Sequence, residues 1–285
     1  MAVRFSIRDA ASFLIASRVP NLIIIGMTQI ATAYFLLGNS MPEILNLQFA
    51  IFLLSTAMIA AGGYIINDYF DQKIDLINRP DEVVVGTKFR RRLALFTHTS
   101  LTLVGIILGL FIDPLVAGVH VFSAGALWTY SGILKRRLLI GTLTISFLTM
   151  VTLLIVMVYY HQFSLLVLVY ALFGCVSVFI RESIKDIVSL KGERVFGVKS
   201  VPIVWGFRGA KTVIYIAGLI GVGMISFYLI SINNWHVRYF FAVVLVTACW
   251  VFYKVKVAER MQDFMEIRKW IDTIIVSGII SMALV

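Results

Sequence analysis

The sequence predicts an all-α polytopic membrane protein, a bundle of nine transmembrane helices. Three observations carry this. The 285 residues are 60% hydrophobic and only 14% charged, with a mean hydropathy of +0.94, whereas soluble domains are roughly 45–50% apolar and about 25% charged. Apolar runs of about 18 residues or more, each able to cross a ~30 Å hydrocarbon core as a helix, recur from the first thirty residues to the last. The charges between them fall on alternate loops.

Ahead of the first run, "MAVRFSIRDAASFLIAS" has the pattern of an amphipathic helix, with Phe5, Phe13 and Leu14 towards lipid and Arg4 and Arg8 towards phosphates. The nine apolar segments lie at about 20–37, 45–68, 93–112, 114–133, 138–159, 164–185, 211–231, 239–256 and 270–285. Ala31-Thr32-Ala33 imitates a signal-peptide cleavage site, but the apolar run continues past it, so the first helix is expected to be retained. If all nine segments span, 24 of the 25 Lys and Arg share one side, with only Arg238 opposite. That bias marks the cytoplasmic face of an inner (cell) membrane protein. The acids are as lopsided, with only Glu43 and Asp113 opposite, which the orientation rule does not require. The net charge of +10 is dispersed between membrane segments, so nucleic acid is not an expected partner. Cys175 and Cys249 fall inside apolar runs, which argues against a disulfide framework. The four histidines, His98, His120, His161 and His236, are scattered singly and read as interfacial. "ERMQDFMEIRKW" (Glu259–Trp270) reads as an amphipathic linker. The chain is expected to be a single domain over residues 1–285.

The surplus acid is concentrated in two places. "NDYFDQKID" (Asn67–Asp75) ends the second segment, and "KDIVSLKGE" (Lys185–Glu193) ends the sixth, with polar side chains at the same offsets. On a helix of about 100° per residue, Asn67, Asp71, Asp75 and Asp68 fall at roughly 0°, 40°, 80° and 100°. Glu182, Asp186, Ser189 and Glu193 fall within about 60° of one another on the same wheel. Crowded carboxylates repel, so a cation must hold them. Hard oxygen donors without His or Cys favour Mg²⁺, which keeps water or phosphate in its remaining positions. Lys73, Arg79 and Lys88 accompany the first cluster, and Lys185, Lys191, Arg194 and Lys199 the second. Acids, cations and an apolar interior together suit a Mg²⁺-bound lipid diphosphate.

"GGYIINDYFDQKIDLINRP" resembles the first aspartate-rich motif, N-D-x-x-D-x-x-x-D, of the UbiA superfamily of intramembrane prenyltransferases. "RESIKDIVSLKGERVFGVKSVPIVWG" resembles its second motif and the G-x-K-[ST]-x-P segment that follows, and "YSGILKRRLLIGT" (Tyr130–Thr142) its Y-S-x-x-L-K stretch. "SRVPN", with Arg18 and Asn21, suits its first helix. The resemblance covers essentially the whole chain. It implies a nine-helix bundle around a central cavity with a cytoplasmic cap, and transfer of an isoprenyl group from an isoprenyl diphosphate to an acceptor. It implies Asp68, Asp71 and Asp186 as the catalytic acids, and Asp68, Asp71, Asp75, Glu182, Asp186 and Glu193 as Mg²⁺ ligands. For substrate it implies Asn67, Arg18, Asn21, Tyr64, Arg79, Lys88, Tyr130, Lys135, Lys185 and Lys199. For any single aromatic, Tyr130 and Trp128 included, core packing is the better explanation.

The second motif departs from the family's D-x-x-D-x-x-x-D, because Ser189 and Glu193 stand at its second and third acids. A serine hydroxyl is a poorer Mg²⁺ ligand than a carboxylate. "IKD…G…GVKS.PI.WG" most resembles enzymes that prenylate geranylgeranylglyceryl phosphate, a lipid acceptor; an aromatic, quinone-precursor acceptor is the alternative. A catalytically altered homologue is a further alternative. An ion-coupled transporter is the alternative from another class, although it would carry its acids near the bilayer midplane.

Overall fold

The computed structural model describes residues 7–231 and 235–285. Arg4 and Phe5 lie outside the described residues, as do the side chains of Arg8 and His236. The chain is helical nearly throughout: α1 Ile7–Ala16, α2 Val19–Ala31, α3 Leu47–Asn78, α4 Arg91–Ile112, α5 Pro114–Gly132, α6 Ile140–Tyr160, α7 Leu165–Val188, α8 Leu190–Val195, α9 Gly206–Ser231, α10 Trp235–Val257 and α11 Met261–Ser281. Among the described residues there is no β-strand, only an isolated bridge between Val85 and Phe89. Six helical spans among the described residues are long and apolar enough to cross a membrane, and each of the nine apolar segments overlaps a described helix. The protein is an all-α polytopic membrane protein.

Local chemistry sets the helix starts. Asn46 caps α3 by accepting from the Phe49 amide at 2.7 Å. Asp113 caps α5 by accepting from the Leu115 amide at 2.6 Å, with Pro114 supplying a pre-set first turn. Helix α3 has 32 residues, about 48 Å at ~1.5 Å per residue, and so exceeds the ~30 Å core. The sequence ends its second segment at residue 68, but the helix continues ten residues further because no helix breaker intervenes before Pro80. Residues 259–270, read as a linker, are largely taken into α11, which runs unbroken from Met261.

Two compact units form. The first holds the described residues through Ile30 together with Asn39–Leu134 and Val158–His161. In it, α3 packs on α4 and α5, and small residues permit close approach. A Cβ on Gly105 would lie 3.1 Å from the Ser55 carbonyl, and one on Gly109 only 2.7 Å from the His120 ring. Buried polar groups tie the same helices: Ser55 Oγ and His120 Nε2 are hydrogen-bonded at 2.9 Å, and His98 Nδ1 donates to the Gly62 carbonyl at 2.9 Å. His98 and His120 are therefore packing residues inside the helix assembly, not interfacial ones, because each finds a polar partner on a neighbouring helix.

The loop after α3 is anchored by an apolar plug. Val84, Val85 and Phe89 pack with Ala16, Ile65, Leu93 and Ala94, and Phe13, Tyr69 and Leu101 lean against them. Phe13 thus faces protein, whereas Leu14 is exposed as expected. Gly86, at φ +89°, turns the chain inside this plug, where a Cβ would collide with the Gln72 side chain. Phe89 has no exposed surface. Phe89→Ala is expected to lower the unfolding free energy by about 3–4 kcal/mol, measured by thermal or denaturant unfolding in detergent.

The second unit holds Ala31–Gly38, Lys135–Met157 and the described residues from Gln162 onward. Helix α7 packs against α9 and α11, α9 against α10, and α10 against α11. Tyr170 and Ser281 hydroxyls join α7 to the end of α11 at 3.1 Å. Lys211 on α9 donates to the carbonyls of Lys256 and Ala258 at 3.1 and 2.7 Å.

Candidate functional site

In the first unit, Asn67, Asp68, Asp71 and Asp75 all lie on the uninterrupted α3. Counting from Leu47, Asn67 falls ~30 Å along the axis, about where the hydrocarbon core ends. Asp71 is buried, at 5% exposure. The Asn67 carboxamide oxygen is buried and accepts no hydrogen bond among the described residues, an arrangement costly for a polar atom. Asp68 is met by Arg18, whose guanidinium donates to its Oδ1 at 2.7 Å. The same guanidinium stands 5.1 Å from the centre of the Tyr64 ring, one turn back along α3.

Arg18 reaches Asp68 from a strained backbone. Its φ is +52°, in the left-handed region that non-glycine residues seldom occupy. It forms the elbow between α1 and α2, and the Asn21 amide donates to its carbonyl at 2.8 Å. Strain at such a point is tolerated only where the surroundings over-determine it. Asp75 accepts a longer ion pair from Arg79 at 3.8 Å, and Arg79 also contacts Glu82 at 3.1 Å. Lys88 is exposed in the loop, its carbonyl accepting from Ser12 Oγ at 3.5 Å. Tyr130 is buried on α5. Edge-to-face contacts link Tyr69 to Phe70 and Phe70 to Trp128.

In the second unit the acidic motif spans a helix break. Helix α7 ends at Val188, Ser189 caps it, and α8 resumes at Leu190. The sequence reading placed Glu193 on the wheel of one continuous helix. The break is slight, because the Ser189 amide still reaches the Lys185 carbonyl at 2.8 Å and the Glu193 amide the Ser189 carbonyl at 3.2 Å. Glu182 and Glu193 are both buried. Glu182 is clasped by two cations, with Oε1 accepting from Arg181 at 3.1 Å and Oε2 from Lys185 at 2.7 Å. Arg181 also donates to Asp272 of α11 at 2.5 Å. Asp186 Oδ2 accepts from the Thr142 hydroxyl at 3.3 Å. Lys135, Glu182, Lys185 and Glu193 all lie within electrostatic reach of Asp186. Lys199 is exposed, and its amide donates to the Arg136 carbonyl at 3.0 Å.

Among the described residues, no three His, Cys, Asp or Glu side chains are gathered closely enough to hold a metal ion by themselves. The donors present still fit Mg²⁺ in kind. They are carboxylate and carboxamide oxygens, among them the buried Asn67 oxygen that accepts no hydrogen bond among the described residues, and Mg²⁺ needs few protein ligands when phosphate and water complete its shell. Sequence reasoning missed Thr142, Arg181 and Asp272. Arg181 and Asp272 were legible only as opposite charges within apolar helices, a pattern that itself asks for a partner.

Comparison with known proteins agrees with this architecture. The family model described as the UbiA prenyltransferase family matches residues 26–271. The digeranylgeranylglyceryl phosphate synthase of Methanospirillum hungatei is 27% identical over 86% of this chain and 85% of its own length. The synthase of the same name from Thermococcus gammatolerans is 32% identical over 76% of each chain. Among solved structures, one concerned with digeranylgeranylglyceryl phosphate synthase in membranes matches with a TM-score of 0.74 at 22% identity, covering 96% of this chain and 97% of that one. A UbiA homologue from Archaeoglobus fulgidus, bound to GPP and Mg²⁺, matches with a TM-score of 0.67 at 12% identity over 95% and 99% of the two chains. With motifs, helical architecture and a family match over most of its length, this integral membrane chain belongs to the UbiA prenyltransferase family and is a prenyltransferase.

Proposed function

We propose that the protein transfers an isoprenyl group from an isoprenyl diphosphate, with Mg²⁺, to geranylgeranylglyceryl phosphate or a related lipid acceptor. The observation that carries this reading is the buried oxygen-donor face of α3, with Arg18 fixed beside it, at the end of a long apolar helix. The names of the relatives support the lipid acceptor. In the first unit Asp68, Asp71 and Asp75 would hold Mg²⁺, with Asn67 contributing its carboxamide oxygen; in the second Asp186 and Glu193 would do so, with Glu182 either beside them as a ligand or serving as counter-ion to Lys185 and Arg181. When bound, Mg²⁺ neutralises charge on the leaving diphosphate.

The chain's own residues supply the rest. Arg18, pre-positioned by its left-handed backbone, would offer a cation to diphosphate oxygens; in the first unit Asn21 would add a carboxamide and Arg79 and Lys88 further positive charge, and in the second Lys135, Lys185 and Lys199 would do the same. Tyr64 and Tyr130 would stabilise a developing allylic cation through their rings. The apolar plug of Val84, Val85 and Phe89 restricts water on the loop side of the first motif. The topology proposed is nine spans with the motif loops cytoplasmic in the inner (cell) membrane, a reading that the distribution of Lys and Arg supports.

Acceptor choice is tested by offering purified protein labelled geranylgeranyl diphosphate with geranylgeranylglyceryl phosphate, hydroxybenzoate, naphthoate and homogentisate in turn. The expected result is labelled product with the glyceryl phosphate lipid in large excess over any aromatic acceptor. Product formed mainly on an aromatic acid would overturn the acceptor assignment while leaving isoprenyl transfer in place.

A further inference from the structure

The segment that leads into α6 is built to meet Asp186, and the family motifs do not account for that. Leu139 adopts φ +61°, left-handed for a residue with a Cβ and no local hydrogen-bonding side chain to offset the cost. This turn swings the chain from the basic run at Lys135–Arg137 into Ile140, the first residue of α6. Two residues later Thr142, only 8% exposed, directs its hydroxyl at Asp186 Oδ2, 3.3 Å away. The segment is tied down before the turn, where the Lys199 amide donates to the Arg136 carbonyl at 3.0 Å.

A strained backbone, tied down on its N-terminal side, that delivers one buried hydroxyl to one carboxylate points to a positioning device. We propose that Thr142 is a positioning residue for Asp186, fixing the carboxylate orientation so that its other oxygen would be free to hold Mg²⁺. The need is plain in this chain, where Ser189 stands in place of an acid and fewer carboxylates remain to orient an ion. A second-layer hydroxyl of this kind fixes ligand geometry without touching the ion. The inference rests on the reading of Asp186 as a metal ligand.

The test compares Thr142→Val, which keeps the shape and removes the hydroxyl, with Thr142→Ser, which keeps the hydroxyl, and with Asp186→Asn. Thr142→Ala replaces the valine variant if that one fails to accumulate. Two readouts are used: the Mg²⁺ concentration for half-maximal transfer, and the thermal shift of the purified protein produced by Mg²⁺ with inorganic diphosphate. Thr142→Val is expected to raise the half-saturating Mg²⁺ by about tenfold and to shrink the thermal shift, with Thr142→Ser restoring both. A wild-type Mg²⁺ dependence and thermal shift in Thr142→Val, alongside loss of both in Asp186→Asn, would overturn the positioning role alone. If Asp186→Asn also kept both, the assignment of Asp186 to the metal would fall, and the role of Thr142 with it.

Discussion

Asp71→Asn lowers isoprenyl transfer by at least about a hundredfold while the protein still folds. Asp71 is 5% exposed and sits one turn from Asn67, whose buried carboxamide oxygen accepts no hydrogen bond among the described residues. A buried carboxylate one turn from a buried oxygen acceptor is an arrangement suited to a divalent cation. Asparagine keeps the volume and a hydrogen-bonding oxygen, so packing on α4 and α5 is retained and the charge alone is lost. Steady-state transfer rates and unfolding curves in the same detergent check this together. Full activity in a folded Asp71→Asn protein would remove Asp71 from the metal site.

Glu182→Gln is expected to act in the opposite way, on stability first. Glu182 is buried at 6% exposure, and its two oxygens are taken separately by Arg181 and Lys185. Removing the charge leaves both cations facing a neutral amide that can satisfy only one of them well. Breaking a fully buried pair from one side costs about 3–5 kcal/mol. The cationic side chains keep 28% and 22% of their exposure, so solvent screening brings the expected loss to about 2–3 kcal/mol. Unfolding measured in detergent checks the value. A Glu182→Gln protein of wild-type stability that needed far more Mg²⁺ would identify Glu182 as a metal ligand and not a counter-ion.

Much of this fold could be read before any coordinates. Apolar runs of membrane-crossing length have one outcome in lipid, where backbone polar groups must be satisfied internally, so each predicted segment overlaps a described helix. The first motif was equally legible, because four acceptors on one continuous helix share a face by periodicity alone. What the pattern could not supply were contacts made across sequence distance. Arg18 meets Asp68 fifty residues away through a left-handed elbow that no propensity favours. The clasp on Glu182 was not legible either, because sequence neighbours Arg181 and Lys185 reveal only in the fold that each takes one of its two oxygens. Thr142 resembled any helical threonine, and nothing local connects it to Asp186. Phe13 was given to lipid because amphipathicity cannot tell lipid from the apolar plug of a neighbouring loop.

The account turns on Mg²⁺-dependent isoprenyl transfer, and one measurement tests it most directly. Purified protein is incubated with geranylgeranyl diphosphate labelled in the isoprenyl group and with geranylgeranylglyceryl phosphate, and labelled lipid and free diphosphate are followed together. The account predicts equimolar lipid product and diphosphate, both abolished by EDTA and both restored by added Mg²⁺. Neither product nor diphosphate at stoichiometric enzyme with Mg²⁺ present, or transfer that EDTA leaves untouched, would contradict it.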